Sequence, residues 1–254
     1  MEKCNSTKNP ADPSLPLSLS MCPQTEAEKQ EMRSIPYRSL VGCLIYLSNT
    51  TRPDICYIVN RLARFLSNPG KQHWQAAKKV LRYLKGTHDL GLVYRGKYTL
   101  SGYADASWAD NVDNRRSTAG FMVCGRPGTQ GIYHWQTKLL ATPCQSSTEA
   151  EYATLTLAAN DMICQRGLAN SLGYEQVLPT IINEDNQSCI ALAENPVFHA
   201  RTKHIELKHH VIRHYIETKQ IKLAYCPTKE QLADIFTKPL KTHRFIFLRD
   251  KLLQ

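Results

Sequence analysis

Residues 102–108 read Gly-Tyr-Ala-Asp-Ala-Ser-Trp and lie where the chain changes from helical to strand-like periodicity. Short segments rich in aromatic and β-branched residues span 98–105, 117–125 and 131–136, and they predict an antiparallel meander of three strands. Asp105 stands in the first of these strands, although aspartate is a poor strand former. The segment therefore predicts a strand whose carboxylate serves a purpose other than strand formation.

A long helix is predicted after the meander. Ser146 opens it, Glu149 completes a capping box three residues later, and the helix runs to Leu172 before Gly173. The patterns beyond it predict a strand, two helices, a strand and a last helix, at 180–185, 187–193, 202–219, 221–225 and after Thr228. The resulting order, βββαβα(α)βα, predicts an α/β fold with a mixed sheet and helices on its faces.

Four carboxylates occupy positions where an apolar residue is expected: Asp105, Glu151, Asp185 and Asp234. Each one alone has a structural explanation, as a turn or cap residue, a partner of a helix dipole or a solvated side chain. Gathered in one partly buried site, they would repel one another and raise one another's pKa, so a cluster of this kind predicts a divalent cation. Oxygen ligands of this hardness suit Mg²⁺ or Mn²⁺.

Upstream of the strands, the sequence predicts a leader and a helical region. Residues 1–36 hold five of the thirteen prolines and no aromatic residue, and they predict an extended or disordered leader. Apolar residues at helical spacing predict a small helical region over 37–96. Between positions 61 and 97, nine Lys or Arg residues face a single acid, Asp89. This charge belongs either to a solvated helix face or to a surface that contacts phosphates.

Composition restricts the classes of function. The 254 residues include 32 Lys or Arg and 22 Asp or Glu, and this formal charge of +10 favours polyanionic partners such as nucleic acid. The sequence holds no run of 18 apolar residues and no secretory signal, so membrane and secreted proteins are not expected. Nine cysteines without a CxxC pair favour neither a zinc finger nor a disulfide framework. They are typical of a reduced intracellular protein, either cytoplasmic or nuclear.

Six segments in the second half of the chain carry a family resemblance. They are Tyr103-Ala-Asp-Ala-Ser-Trp-Ala109, Arg115-Arg-Ser-Thr-Ala-Gly120, Ser146-Ser-Thr-Glu-Ala-Glu-Tyr152, Glu184-Asp-Asn186, Arg201-Thr-Lys-His-Ile205 and Ala233-Asp-Ile-Phe-Thr-Lys-Pro-Leu240. In this order they resemble the ribonuclease H domain of copia-type retrotransposon polyproteins, over residues 97–240. Residues 37–87, with Arg52-Pro-Asp54 and Tyr83-Leu-Lys-Gly-Thr87, resemble the end of the reverse transcriptase of those polyproteins, its thumb or connection region.

The resemblance implies a ribonuclease H-like five-stranded sheet and an endonuclease that hydrolyses the RNA strand of RNA-DNA hybrids. It assigns Asp105, Glu151, Asp185 and Asp234 as the catalytic, metal-binding residues, with two Mg²⁺ ions for which Mn²⁺ can substitute. The first aspartate would bridge both ions, the glutamate and the second aspartate would bind one, and the last aspartate would bind the other.

The implied partners are the hybrid, recognised by its shape, and an upstream reverse transcriptase domain. The expected nucleic-acid contacts are basic residues of the helical region and of the motifs: Arg61, Arg64, Lys78, Lys79, Arg82, Lys85, Arg115, Arg116, Arg201 and Lys203. Residues 241–254 form a C-terminal tail, and 242–253 within it read as a short basic amphipathic helix that packs back on the domain or on a partner.

Two departures from the family pattern qualify these expectations. Many cellular relatives carry a histidine in the loop before the last aspartate, whereas residues 226–230 contain none. The paired aspartates of a polymerase site are also absent, so no polymerase activity is expected from this chain. Turnover is accordingly expected to be slower, unless another group serves in place of the histidine.

Three other interpretations remain open. A retrotransposon-derived fragment would bind nucleic acid without cutting it, and a polynucleotidyl transferase or integrase would use the same fold with three acids at a different spacing. A zinc site would use a group of histidines, namely His204, His209, His210 and His214, but the protease motif needs Glu where Val211 stands. A basic helix face explains these histidines equally well.

Overall fold

The structure is a computed structural model that describes residues 4–95, 98–125, 131–195 and 206–254, with only the backbone of 206–210. The chain divides into two compact units. The helical unit comprises Met1–Leu92, Asn111–Arg115 and Lys238–Gln254. The sheet unit comprises Val93–Asp110 and Arg116–Thr237. None of the helices in the described ranges is both long and apolar enough to cross a membrane.

The helical unit contains five α-helices: α1 (Glu26–Arg33), α2 (Tyr37–Thr50), α3 (Cys56–Ala63), α4 (Lys71–Lys85) and, after the strands, α9 (Thr242–Leu252). Helix α4 shows why these segments are helical, because its buried residues His73, Ala77, Val80 and Tyr83 recur at the helical period. They pack with α2 and α3, whose buried residues include Val41, Leu44 and Leu62. Gly86 follows α4 as its C-cap.

Residues 4–36 differ from the extended or disordered leader that the proline content predicts. They include α1 and a 3₁₀ turn at Leu19–Met21. A capping box starts α1, since the Thr25 side chain accepts from the Glu28 backbone and the Glu28 carboxylate accepts from the Thr25 backbone. Leu17, Cys22 and Met32 are buried. A few apolar anchors and one complete cap therefore order a segment that its composition marks as irregular.

The C-terminal tail forms helix α9 and packs within the helical unit. The ring of Phe245 meets that of Tyr83 edge-on, with 5.5 Å between centroids. Gly91 and Gln254 exchange two backbone hydrogen bonds, of 2.9 and 3.0 Å. Helix α9 therefore packs on the helical unit, and the expected contact with a partner stays a prediction.

The sheet unit is built on five strands: β1 (Ser101–Ser107), β2 (Thr118–Cys124), β3 (Ile132–Leu139), β4 (Thr180–Glu184) and β5 (Ile221–Tyr225). Their spatial order is β3-β2-β1-β4-β5. Strands β1, β2 and β3 pair antiparallel, whereas β4 runs parallel to both β1 and β5. The helices of this unit are α5 (Ser147–Ser171), α6 (Gln187–Glu194), α7 (Glu206–Glu217) and α8 (Asp234–Thr237). The predicted α/β class, a mixed five-stranded sheet with helices, is confirmed.

Successive side chains of β1 point to opposite faces of the sheet. Ala104 lies in the core that α5, α6 and α7 form on one face, and a Cβ at Gly102 would lie 2.4 Å from the Met162 methyl of α5. Asp105, the next residue along β1 after Ala104, faces the opposite side, where α8 packs. The long helix α5 begins at the predicted cap, with the Ser146 hydroxyl accepting from the Glu149 backbone at 3.1 Å. The predicted capping box is not complete, because the Glu149 carboxylate accepts from the Gln145 backbone, at 2.7 Å, instead of from Ser146.

The segment after β5 corrects the prediction of one helix beyond Thr228. It consists of a 3₁₀ turn, Thr228–Glu230, and the four-residue α8, so Asp234 begins a helix instead of lying inside one. Gln231 explains the interruption, because its side chain donates to the Ala104 carbonyl of β1 at 2.8 Å and accepts from the Ala233 backbone. This long-range contact replaces a continuous helical turn.

Candidate active site

Three of the four predicted carboxylates meet at one edge of the sheet. Asp105 lies near the carboxyl end of β1, Asp185 directly follows β4, and Glu151 lies near the start of α5. One carboxylate oxygen from each residue lies within 4.8 Å of the other two. Because β1 and β4 are parallel neighbours, their carboxyl ends open at the same edge, where α/β sheets bind ligands.

The three acids suit a hard divalent cation. Asp105 is 1% exposed and Glu151 is 6% exposed, so water screens their charges poorly. Carboxylates this close repel one another unless a proton or a cation intervenes. Carboxylate oxygens are the ligands that Mg²⁺ and Mn²⁺ prefer, and the arrangement therefore fits the predicted metal chemistry.

Glu184 is a further acid of this site that the motif analysis did not select. It is fully buried at the end of β4, where its Oε1 accepts from the Asn186 backbone at 3.1 Å. Its Oε2 is buried without a hydrogen-bond partner among the described residues. Burial raises the pKa of Glu184 to about 8, and the charges of Asp105 and Asp185 act in the same direction. Burial therefore favours the neutral form of the Glu184 carboxyl.

A sequence signal for Glu184 existed. The burial of β4 alternates, and Thr180, Ile182 and Glu184 share the buried side. Glu184 thus occupies an inward position next to Asp185. An acid at such a position is unusual, and the criterion that selected Asp105 and Asp185 applies to Glu184 as well.

The structure places Asp234 in α8, outside the set of three acids that lie within 4.8 Å. It is buried, with 5% of its surface exposed. The same short helix reaches the acidic site through Thr237, whose hydroxyl donates a hydrogen bond to Asp105. No sequence signal marks Thr237, because its partner is 132 positions away.

Gly120 allows α8 to approach the sheet. A Cβ there would lie 2.5 Å from Thr237 Cγ2 and 2.7 Å from Phe236 Cβ. The Thr137 hydroxyl of β3 donates to the Phe236 carbonyl at 2.8 Å and holds the helix from the next strand. A side chain at Gly120 is incompatible with this position of α8.

Cys226 occupies the start of the loop in which many cellular relatives carry a histidine. Its backbone N–H donates to the Glu184 carbonyl at 3.0 Å, beside the acidic site. Burial, and after it the negative charge of nearby carboxylates led by Asp185, raises the pKa of the Cys226 thiol to about 12. Burial and these charges therefore favour the neutral thiol.

The predicted phosphate-contacting residues of α3 and α4 are mostly engaged by the N-terminal segment. Arg61 is buried and donates to the Leu17 carbonyl at 3.2 Å. The other such contacts join Lys79 to the Asp12 carboxylate at 3.1 Å, Arg82 to the Asn5 carbonyl at 2.8 Å, and Lys85 to the Cys4 carbonyl at 3.0 Å. The burial of Arg61 leaves it no path to a phosphate in this structure.

The remaining predicted contacts are dispersed. Arg64 donates to Asn60 at 3.1 Å, and the Lys78 ammonium lies 5.7 Å from the centre of the Trp74 ring. Arg116 bonds the Leu140 carbonyl, and Arg115 is exposed with a positive φ of 55°. Arg201 and Lys203 lie outside the described residues.

The histidine group is only partly described. His204 lies outside the described residues, and the side chains of His209 and His210 are not described. The His214 ring lies 5.9 Å from the ring of Tyr215. The zinc interpretation therefore stays a prediction.

Comparison with known proteins places this chain among transposon proteins. It is 39% identical, over 246 residues, to the retrovirus-related Pol polyprotein from transposon TNT 1-94 of Nicotiana tabacum; the match covers 96% of this chain and 18% of the relative. It is 40% identical, over 211 residues, to the corresponding polyprotein from transposon RE2 of Arabidopsis thaliana, covering 82% of this chain and 14% of the relative. No family model matches the chain.

Among solved structures, LC11-RNase H1 in complex with an RNA/DNA hybrid aligns with 55% of this chain and 94% of its own length, at 13% identity and a TM-score of 0.41. The chain spans less than a fifth of the length of the two polyproteins. Since about 40% of its residues are identical to theirs over most of its length, the chain belongs to the family of retrovirus-related Pol polyproteins of copia-type transposons.

Proposed function

We propose that the sheet unit is a metal-dependent endoribonuclease that hydrolyses the RNA strand of RNA-DNA hybrids. One observation carries the proposal: Asp105, Glu151 and Asp185 bring carboxylate oxygens within 4.8 Å of one another at the edge where β1 and β4 end. Membership of the Pol family supports the choice of substrate.

The acidic site would hold two Mg²⁺ ions, for which Mn²⁺ can substitute. Asp105 would contribute to both ions, Glu151 and Asp185 would complete one site, and Asp234 would contribute to the other. When bound, the ions lower the pKa of a water molecule and neutralise the charge that develops on the phosphate. Thr237 keeps the carboxylate of Asp105 oriented by donating a hydrogen bond to it.

Hybrid recognition would depend on the shape of the duplex. Hydroxyl groups at the 2′ positions distinguish the RNA strand, and phosphates of the DNA strand meet basic side chains. Arg116 belongs to the sheet unit and is only half-buried, so it is the first residue to test as a phosphate contact.

The two regions carry different parts of this proposal. Residues 97–240 form the hydrolase domain, and residues 37–96 derive from the end of a reverse transcriptase. Residues 241–254 form the C-terminal tail. The chain has no polymerase activity of its own, because the paired aspartates of a polymerase site are missing from its sequence. An upstream reverse transcriptase domain is the proposed partner.

The test uses the full chain, a hybrid with a labelled RNA strand, and Asp105→Asn as the matched variant. We expect cleavage of the RNA strand in Mg²⁺, none in EDTA, none of single-stranded or duplex RNA, and a loss of about 1,000-fold or more in the variant. Hybrid binding without cleavage would contradict the proposal and support the alternative, a catalytically silent retrotransposon fragment. Primer extension on an RNA template would refute the absence of polymerase activity.

A second readout is independent of catalysis. Mg²⁺ neutralises buried carboxylates in the folded protein only, so it should raise the melting temperature. The shift should shrink in Asp105→Asn and persist in Asp250→Asn, which changes an exposed acid of α9. An equal shift in all three proteins would contradict binding at the acidic site.

A further inference from the structure

Four tyrosines form a surface cluster in the sheet unit, at the end of β1 opposite the acidic site: Tyr94, Tyr98, Tyr133 and Tyr174. Their rings are arranged in sequence, with centroids 5.9 Å apart for Tyr94 and Tyr133, 4.6 Å for Tyr133 and Tyr98, and 5.2 Å for Tyr98 and Tyr174. The two terminal rings are exposed, Tyr94 by 57% and Tyr174 by 53%. The tyrosine cluster is therefore open to solvent at its two terminal residues.

The exposed ring of Tyr94 is held in place by three contacts. Its hydroxyl donates to the Ile132 carbonyl at 3.0 Å, and its ring stacks on Tyr133 with 19° between the planes. The third is the close approach of Gly131, which has a φ of +129°. A Cβ at this residue would lie only 2.7 Å from Tyr94 Cδ1, so only glycine leaves room for the ring. A ring fixed in this way loses little conformational entropy when a ligand stacks on it.

The cluster lines a cavity of about 740 Å³, and the other lining residues are Arg95, Thr99 and Glu175. The volume lies in the range of small-ligand sites. The cavity is remote from the acidic site: Tyr98 precedes the start of β1, whereas Asp105 lies near its end, about 20 Å further along the chain at strand spacing.

We propose that this cavity binds nucleobases of a single-stranded nucleic acid. Tyrosine faces stack on any base, and Arg95 at the rim suits the adjoining phosphate. Among the described residues, the lining contains no aliphatic side chain, which disfavours an apolar protein segment as the occupant. RNA and DNA strands share this chemistry, so both are candidate sources. The inference goes beyond the proposed hydrolysis, because it does not depend on the acids.

The test measures fluorescence anisotropy of 5′-labelled (rU)10 and (dT)10 with the full chain in EDTA. The test variant carries Tyr94→Ala and Tyr174→Ala, and a Phe double variant at the same positions keeps the rings. Tyr225→Ala is the matched control, because Tyr225 is 52% exposed on β5 and does not line the cavity. A melting curve of each variant verifies folding.

We expect the Ala double variant to raise the Kd by at least tenfold, while the Phe variant and Tyr225→Ala stay within twofold. Comparison of (rU)10 with (dT)10 identifies the preferred strand. Ultraviolet crosslinking of (rU)10, mapped by mass spectrometry, should label peptides containing Tyr94 or Tyr174.

If the Ala double variant bound the oligonucleotides as tightly as the unaltered protein, or if the crosslinks were confined to other peptides, the inference would be overturned. Self-association that is lost in the Ala variant, without oligonucleotide binding, would overturn it in favour of a protein interface. Cleavage of a blunt hybrid is measured separately. Failure of that cleavage with tyrosine-dependent binding intact would refute the hydrolase proposal and leave this inference standing.

Discussion

The hydroxyl of Thr237 donates a hydrogen bond to the carboxylate of Asp105, and both side chains are buried. This contact joins the short helix α8 to the strand that supplies the first acid of the candidate active site. A carboxylate oriented by a neutral donor keeps its charge and its remaining lone pairs for a cation.

Replacement of Thr237 tests this positioning role. Thr237→Val keeps the shape but removes the donor, so the Asp105 carboxylate can rotate, and we expect about a tenfold loss of hybrid cleavage, as for outer-shell partners of metal ligands. Thr237→Ser keeps the hydroxyl and should retain most activity. The Mg²⁺ concentration for half-maximal activity should rise in the Val variant alone. The same Mg²⁺ dependence in all three proteins would contradict the role.

Gly120→Ala should push α8 away from the sheet. The added methyl would overlap Thr237 and Phe236, and overpacking of this kind costs about 1–3 kcal/mol of unfolding free energy. Gly42→Ala is the control: it lies within α2, no atom would lie within 4 Å of its Cβ, and it should gain about 0.5–1 kcal/mol. Urea denaturation measures both. An unchanged stability and activity in Gly120→Ala would show that α8 lies elsewhere.

Asp54→Asn should strongly destabilise the helical unit. Asp54 is 2% exposed and accepts two hydrogen bonds from Arg52, at 3.0 and 2.8 Å, and another from Tyr83. Loss of its charge leaves a buried guanidinium uncompensated, which costs about 3–5 kcal/mol.

The control for this prediction is an exposed pair. Glu26 and Lys29 approach to 2.7 Å on α1, but the Glu26 side chain is 81% exposed. Glu26→Gln should therefore change the unfolding free energy by less than about 1 kcal/mol. Denaturation curves that give similar losses for Asp54→Asn and Glu26→Gln would contradict the importance of burial.

His73 should make the stability of the helical unit depend on pH. The imidazole is fully buried, stacks on Phe65 with centroids 3.9 Å apart, and accepts from the Gly70 backbone through Nδ1 at 2.9 Å. Burial lowers the pKa of His73 below its ordinary value of 6.5.

As the pH falls, His73 is therefore protonated near pH 6.5 in the unfolded chain and only at a lower pH in the folded protein. The contribution of His73 is complete above pH 6.5 and is lost as the pH falls, by at most about 1.4 kcal/mol per pH unit. Unfolding free energies between pH 7.5 and 5 should fall more steeply for the unaltered protein than for His73→Gln, which does not titrate. Parallel curves would exclude His73 as the cause.

Local signals in the sequence predicted most of the elements near the acidic site. Asp105 and Asp185 were predicted at strand ends, and Glu151 was placed by the cap at Ser146, because periodicity and capping act between residues a few positions apart. The same signals underestimated the regular structure of residues 4–36. A capping box at Thr25 was present there, but the proline content suggested an irregular segment.

The sequence by itself determined the α/β class, the order of the elements and which acids stand at apolar positions. Only the tertiary structure decided that Thr237 meets Asp105 and that leader residues bond the cations of α4. The reason is physical: these contacts join residues between 77 and 132 positions apart. Packing sets such approaches, and no local pattern encodes them.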